Sequence, residues 1–502
     1  MININAKNAE SRSSRLDAIT NYDGTYADLI GWQCHGKGDG SGRGCGQGFG
    51  RGCGCGSLES RTMNQCSCCA SHTSMITLSH IRNICMVDHA PIGCISSSIQ
   101  MNNLQNKRGK MQRGLPQTNL RIFSTNMNET DSVFGAAGKL EATIREAYRR
   151  YHPDAILVTT SCVSGIIGED VTSVTDAMAE ELGVPILPVF CEGIKSKVWA
   201  DGFDAGQHAI LKYLVKEPEK KTNKVNFINF YSGMKGPMTE MLASIGLEPQ
   251  FIANFATVEE LSHISEATAT ATICGTVGTY LGQALEERYG IPFLGEIPPH
   301  GVAKYEELLR ALAKIVGRED DAEAFIAAKR EKFMPRLAEL REQLTGLHAV
   351  IGMGPGFAFS YIPVMEELGI TVDYVIGFHY DKYLDGNRKT IAESIFNERY
   401  TNMKASIADL QNFEILRIIN ELKPDIFINR HNNVGGDCMK LGVPLLFLGN
   451  EYSAFGYEPM IALGERILDI TTNRNLYRNL ASHAKIPYKR EWLERELTLT
   501  GE

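Results

Sequence analysis

The sequence predicts an α/β protein of three doubly wound parallel-sheet domains in series, behind a cysteine- and glycine-rich N-terminal segment. Two patterns carry that prediction. Short β-branched apolar runs alternate with helical runs, and the alternation is interrupted by a charged stretch and restarts twice. Strands separated by helices pair in parallel through right-handed crossovers, which gives the sheets their direction. A chain of 502 residues is also long enough for about three cores.

The elements follow in order. Residues 1–75 form the cysteine- and glycine-rich segment. Its run "GKGDGSGRGCGQGFGRGCGCG" (36–56) would lose much backbone entropy on ordering and has little to bury, so alone it reads as a flexible loop. The first domain, 76–222, contains the strand "DAILVTT" (154–160), a helix over 169–183 ending at Gly183, and the strand "VPILPVF" (184–190). The polar "KEPEKKTNK" (216–224) reads as a linker. The second domain, 223–346, runs strand "VNFINFYSG", helix "PMTEMLASIG", strand "PQFIANF", a long helix from about Gly275, and strand "IPFLGEI". A charged helix over 318–344 leads to the third, 347–502, which ends in a C-terminal extension. There "HAVIGMGPG" and "TVDYVIGF" flank a helix, and "PDIFINR" and "VPLLFLGN" follow as strands.

Composition narrows the function. A formal net charge of −8 argues against nucleic acid as a partner. No apolar run reaches the ~20 residues of a membrane helix. "MININAKNAESRSSRLDAIT" has no apolar signal core, so a cytoplasmic location is expected. In that compartment thirteen cysteines are not a disulfide framework; they are core residues, reactive groups or metal ligands. Cys85 in "NICMV" and Cys438 in "GDCMKLGV" read as small buried hydrophobes.

Ligands of doubly wound sheets sit at the carboxyl ends of strands. Cys94 in "DHAPIGC", Cys162 in "TTSCVSGIIGED" and Cys274 in "TATATICGTVGTY" all fall at such edges. Cys162 and Cys274 lie ahead of helices, where a thiolate is favoured. Three chemistries remain open for these thiols besides plain burial. Cys66, Cys69, Cys53 and Cys55 would make a zinc site, although the last pair lies in the glycine run. Iron–sulfur clusters accept thiolates scattered over several loops. A nucleophilic cysteine would need a base, for which His89, His208, His379 and His431 are available. "GMGPGF" (352–357) lacks the third glycine of a dinucleotide loop, and no G-x-x-x-x-G-K-[ST] occurs.

The ordered set "HIRNICMVDHAPIGC", "TTSCVSGIIGEDV", "PVFCEGIKS" and "TICGTVGTYLGQALEERYGIPF" resembles the larger catalytic component of nitrogenases and their relatives, over about residues 60–460. The resemblance implies three α/β domains per chain. It also implies that Cys68, Cys94 and Cys162 supply one chain's half of an 8Fe-7S P-cluster shared with a K-type subunit. Cys66 or Cys69 replaces Cys68 if the loop carries an insertion. Cys274 matches the cysteine that holds the active-site cofactor of alpha-type (D) chains. Where those chains place a histidine at the far pole, this sequence has Leu448, Gly449 and Asn450. That departure implies an all-iron, carbide-containing cluster held mainly by Cys274, with His431 or His379 as further contacts. His208, next to Gln207, and Lys195 match the surroundings of the cofactor and are the expected catalytic side chains, with His379.

Within that family the chain looks most like methylthio-alkane reductases, which implies reductive C–S cleavage of small thioethers to methanethiol and a hydrocarbon. Electrons would come from a homodimeric iron protein with a 4Fe-4S cluster and an ATPase, delivered to a D2K2 heterotetramer. A nitrogenase-type D chain reducing dinitrogen and a cofactor-assembly scaffold are the alternatives.

Overall fold

The computed structural model describes residues 2–7, 9, 18–19, 21–25, 69–195, 199–228, 234–381, 400, 402–408, 412–430, 434–449, 454–486, 488–489 and 491. Among them are three multi-stranded sheets whose strands are parallel, apart from one edge. The expected α/β class, with its winding restarted twice, is therefore present.

The first sheet has the order Ile122–Ser124, Ile84–His89, Ala155–Thr160, Ile186–Val189. Its two central strands are buried along their whole length, as strands covered on both faces must be. The second sheet repeats this winding, with the order Phe293–Leu294, Ala269–Thr272, Lys224–Ile228, Glu248–Ile252. The third has the order Leu445–Phe447, Ile426–Asn429, His348–Met353, Thr371–Gly377, Lys404–Ala408, with Asn21–Thr25 antiparallel on its edge. A two-residue antiparallel pair, Ala18–Ile19 with Tyr380–Asp381, accompanies it.

In each sheet the winding reverses direction between two neighbouring central strands, and a crevice opens beyond their carboxyl ends. In the first sheet those strands are Ile84–His89 and Ala155–Thr160, which lead to Cys94 and Cys162. In the second they are Lys224–Ile228 and Ala269–Thr272, and the latter leads to Cys274. In the third they are His348–Met353 and Ile426–Asn429, which lead to the Gly354–Gly356 turn and to Arg430.

The chain forms two compact units. One holds the described residues of 1–15, 68–272 and 277–295, the other those of 16–67, 273–276 and 296–502. In the first unit a single buried cluster reaches from Met86, Leu157 and Leu187 of the first sheet to Ile228 and Ile252 of the second. In the second unit the third sheet packs Val350, Ile376 and Phe427 on Ile415, Ile419 and Cys438.

Two expectations differ from this arrangement. The segment 301–344 was assigned to the second domain, but its helices Gly301–Val316 and Glu319–Leu344 pack on Pro355–Glu367 and Tyr457–Thr472 of the second unit. The reason is a buried carboxylate: Glu306 takes both arms of Arg330, each at 2.7 Å, and accepts from the Tyr457 hydroxyl at 2.6 Å. The N-terminal segment, read as a part of its own ahead of the three domains, gives the third sheet its edge strand through residues 21–25 and covers the open ladder of Lys404–Ala408.

Candidate functional site

Three cysteines of the first unit start helices. Cys69 is the N-cap of Ala70–Leu78, Cys162 opens Cys162–Ile167, and Cys94 lies in the first turn of Ile92–Gln112. Ser161 fixes the Cys162 helix through a reciprocal capping box with Ser164. Two of these thiols meet at Gly193. A Cβ there would lie 3.2 Å from the Cys69 Cβ, 3.6 Å from its Sγ and 3.7 Å from the Cys162 Sγ, so the "CEGIKS" turn packs directly on both cysteines.

Charge ties Cys94 to the same group. Partial burial, the Asp88 carboxylate and the neighbouring Cys162 and Cys69 sulfurs together push its thiol up to about 11. Bringing these sulfurs near one another disfavours their thiolate forms, so positive charge from a soft metal group would be needed to ionise them together. No three His, Cys, Asp or Glu side chains among the described residues close on a point as they would around a single ion.

The loops bearing these cysteines are stapled. His89, which precedes Cys94, meets Glu169, which follows Cys162, at 2.6 Å. Thr125 Oγ1 lies 3.2 Å from the other His89 nitrogen, and the Ala136 amide donates to Glu169 at 2.5 Å. Asp88 is fully buried. It accepts from Thr159 at 2.9 Å through one oxygen, while the other finds no donor among the described residues, and burial raises its pKa to about 6.

Cys274 lies in the second unit and is 3% exposed. A Cβ on Gly356 would come within 2.3 Å of its Sγ, so the "GMGPGF" turn is bare in order to admit that sulfur. The peptide before it is held by His300, whose Nε2 donates to the Ile273 carbonyl at 2.7 Å. His300 sits among Phe357, Tyr361 and Phe455 with ring centroids about 5 Å away, and burial lowers its pKa to about 4. Arg430, 5% exposed, stacks 4.5 Å from the Phe357 ring and donates to the Leu448 carbonyl at 2.9 Å.

The other expected residues are placed as follows. Cys68, His431 and Asn450 lie outside the described residues, as do Cys53, Cys55 and Cys66. His208 is buried, with Nδ1 2.8 Å from the Tyr280 hydroxyl and Nε2 3.1 Å from the Ala6 carbonyl, so both nitrogens are engaged. Gln207 grips the start of the Gly275–Tyr289 helix, donating to Val277 O and accepting from the Leu281 amide at 3.2 Å. Lys195 is exposed and pairs with buried Glu192 at 3.0 Å. His379 is fully buried just past the Thr371–Gly377 strand. Cys85 and Cys438 are core residues.

The profile of the family described as nitrogenase component 1 type oxidoreductase matches residues 69–472. The chain belongs to that family. The nitrogenase iron-molybdenum cofactor biosynthesis protein NifE of a Nostoc species is 28% identical over 413 residues, 80% of this chain and 82% of the relative. The nitrogenase molybdenum-iron protein alpha chain of Methanococcus maripaludis is 28% identical over 418 residues, 79% and 84% of the two chains. The solved structure titled nitrogenase Cp1 at pH 5 matches at 21% identity with a TM-score of 0.68, over 85% of this chain and 92% of that one, which shows a shared fold.

For a component 1-type chain of this alpha kind, the thiol group at Gly193 and the seat of Cys274 are the features to explain. Cys69 was read as a zinc ligand or as a substitute for Cys68, and among the described residues it is the thiol beside Cys162. Glu169, Gly193, His300 and Gly356 were not singled out, because each acts through a partner outside its own stretch of sequence, 27 residues away for His300 and 80 for Glu169.

Proposed function

We propose that this chain is the alpha-type (D) catalytic subunit of a nitrogenase-like reductase that cleaves C–S bonds of small methylthio-alkanes. The observation that carries the reading is the seat of Cys274: a buried thiol at a strand's carboxyl end, closed over by Gly356, with Leu448 and Gly449 in place of a distal histidine. Cys274 would hold the active-site iron–sulfur–carbide cluster. Cys69, Cys94 and Cys162 would hold this chain's half of an 8Fe-7S P-cluster, with Cys68 as the alternative to Cys69. When bound, such groups supply electrons at potentials reaching about −700 mV.

The chain's own residues position and enclose. His300 fixes the peptide that carries Cys274, and Gln207 fixes the helix that follows it. His208, with both nitrogens occupied, acts as a positioning residue for that helix through Tyr280. Phe357, Tyr361 and Phe455 give surroundings suited to an uncharged thioether. Around the other thiols, Ile92, Ile166 and Ile194 are 56%, 71% and 55% exposed, an apolar surface that suits a K-type partner completing the shared cluster in a D2K2 assembly. ATP hydrolysis belongs to a separate iron protein, since this sequence has no phosphate-binding P-loop.

The test is an anaerobic assay of the complex with its iron protein, ATP and 2-methylthioethanol. Two electrons and two protons convert that substrate to ethylene, methanethiol and water, and Cys274→Ala should abolish both volatile products. Ammonia from dinitrogen as the sole product would instead mark a nitrogenase. The scaffold reading is favoured by the likeness to NifE. It predicts no turnover and a cluster that leaves for an acceptor protein.

A further inference from the structure

Away from both cysteine sites, the first unit contains a half-open cavity of about 220 Å³. Arg82, Arg113, Lys224 and Lys235 line it, against one carboxylate, Glu260. In a chain of net charge −8 such a concentration of cations is not background.

Arg113 ends the Ile92–Gln112 helix and lies between Phe251 and Phe255, 5.4 and 4.9 Å from their ring centroids. Its Nη1 donates to the Asn254 carbonyl at 2.7 Å. Its Nε and Nη2, the two arms of one fork, are shielded from solvent and meet no acceptor among the described residues. Arg82 pairs with Glu260 at 3.3 Å through Nη2, and its Nε is likewise unmet. Neither lysine has a carboxylate partner among the described residues. Buried donors without acceptors are costly, and a guanidinium fork matches the paired oxygens of an oxyanion.

The floor is rigid. The Arg82 amide donates to the Ala256 carbonyl at 2.8 Å and the Phe255 amide to the His80 carbonyl at 3.0 Å, while Ala253 and Phe255 are held at φ of 60° and 64°. Volume limits the occupant. Drug-sized ligands need about 300 Å³ or more, so a nucleotide is too large and a small ion fits.

We propose that this cavity binds a small, multiply charged oxyanion of the phosphate class, held by the unused Arg113 fork with Lys224 and Lys235. Burial and the charge of Arg82 hold the Arg113 pKa down to about 10 despite the opposing charge of Glu260.

The experiment titrates the anaerobic complex with inorganic phosphate, sulfate, malonate and chloride at constant ionic strength, read by calorimetry and by phosphorus NMR line width. Saturable binding of phosphate and sulfate, weakened about tenfold by Arg113→Gln, is the expected result; tenfold corresponds to about 1.4 kcal/mol. If Arg113→Gln does not fold, the double variant Lys224→Ala/Lys235→Ala carries the test, since Lys235 is exposed and Lys224 half-buried. Non-saturating binding, an unaffected variant, or preference for malonate over phosphate overturns the proposal.

Discussion

Gly356 and His300 act on the same sulfur-bearing turn in different ways, one by occupying no space and the other by donating a proton. Gly356→Ala puts a carbon where the Cys274 sulfur now lies, so the thiol must shift. If Cys274 holds iron as proposed, the variant should lose that iron to the same extent as Cys274→Ala, with an unchanged far-ultraviolet spectrum. His300 titrates near 4, against 6.5 for an exposed imidazole, because burial opposes its charge. The unfolded chain therefore takes up that proton first. Stability is full above pH 6.5 and falls by about 3 kcal/mol as pH drops towards 4. His300→Phe should flatten that acid limb in urea midpoints taken across the range. In the first unit, if the thiols hold iron as proposed, Cys69→Ala should lower the iron content, and full retention of iron would sink the role given to Cys69. Much of this was readable beforehand. Cys94, Cys162 and Cys274 stand at turns that their flanking strands reveal. Gly356 was visible as a turn residue, but its purpose lies in a side chain far away in the sequence, which no local pattern encodes.

Two contacts show how helices and loops are tied together. Glu306 is 1% exposed and joins three helices through Arg330 and Tyr457. Removing Glu306 leaves the buried Tyr457 hydroxyl unpaired while the half-exposed Arg330 stays solvated, so Glu306→Ala should destabilise the second unit by about 1–3 kcal/mol, seen as an earlier transition in chemical unfolding. The His89–Glu169 pair joins the loops after two neighbouring strands. Glu169→Ala should cost about 2–4 kcal/mol and release iron from the thiol group at Gly193 while leaving the Cys274 site loaded. Iron per chain, measured in single and double variants with Cys274→Ala, separates the two sites. The charged helix 319–344 was foreseen within a residue because its pattern is long and glycine-free. Its allegiance to the second unit was not, since one buried carboxylate decides it.

At the scale of the whole chain, the sheets were legible because parallel strands covered on both faces are continuous apolar runs. "DAILVTT" and "HAVIGMGPG" could hardly be anything else. The edge strand Asn21–Thr25 was not, for "NYDGT" carries no apolar alternation and is recruited by a ladder already present. Its partner, Lys404–Ala408, lies more than 370 residues further along the chain. During synthesis, residues 21–25 leave the ribosome long before that strand and must wait for it before they can pair. Loop closure over that span comes late, so the third sheet should be the slowest to acquire protection in pulsed amide-exchange refolding. Until then its open side is the place where a newborn chain is most exposed to strangers, and a cell that hurries this protein's synthesis without a chaperone should find it in the insoluble fraction.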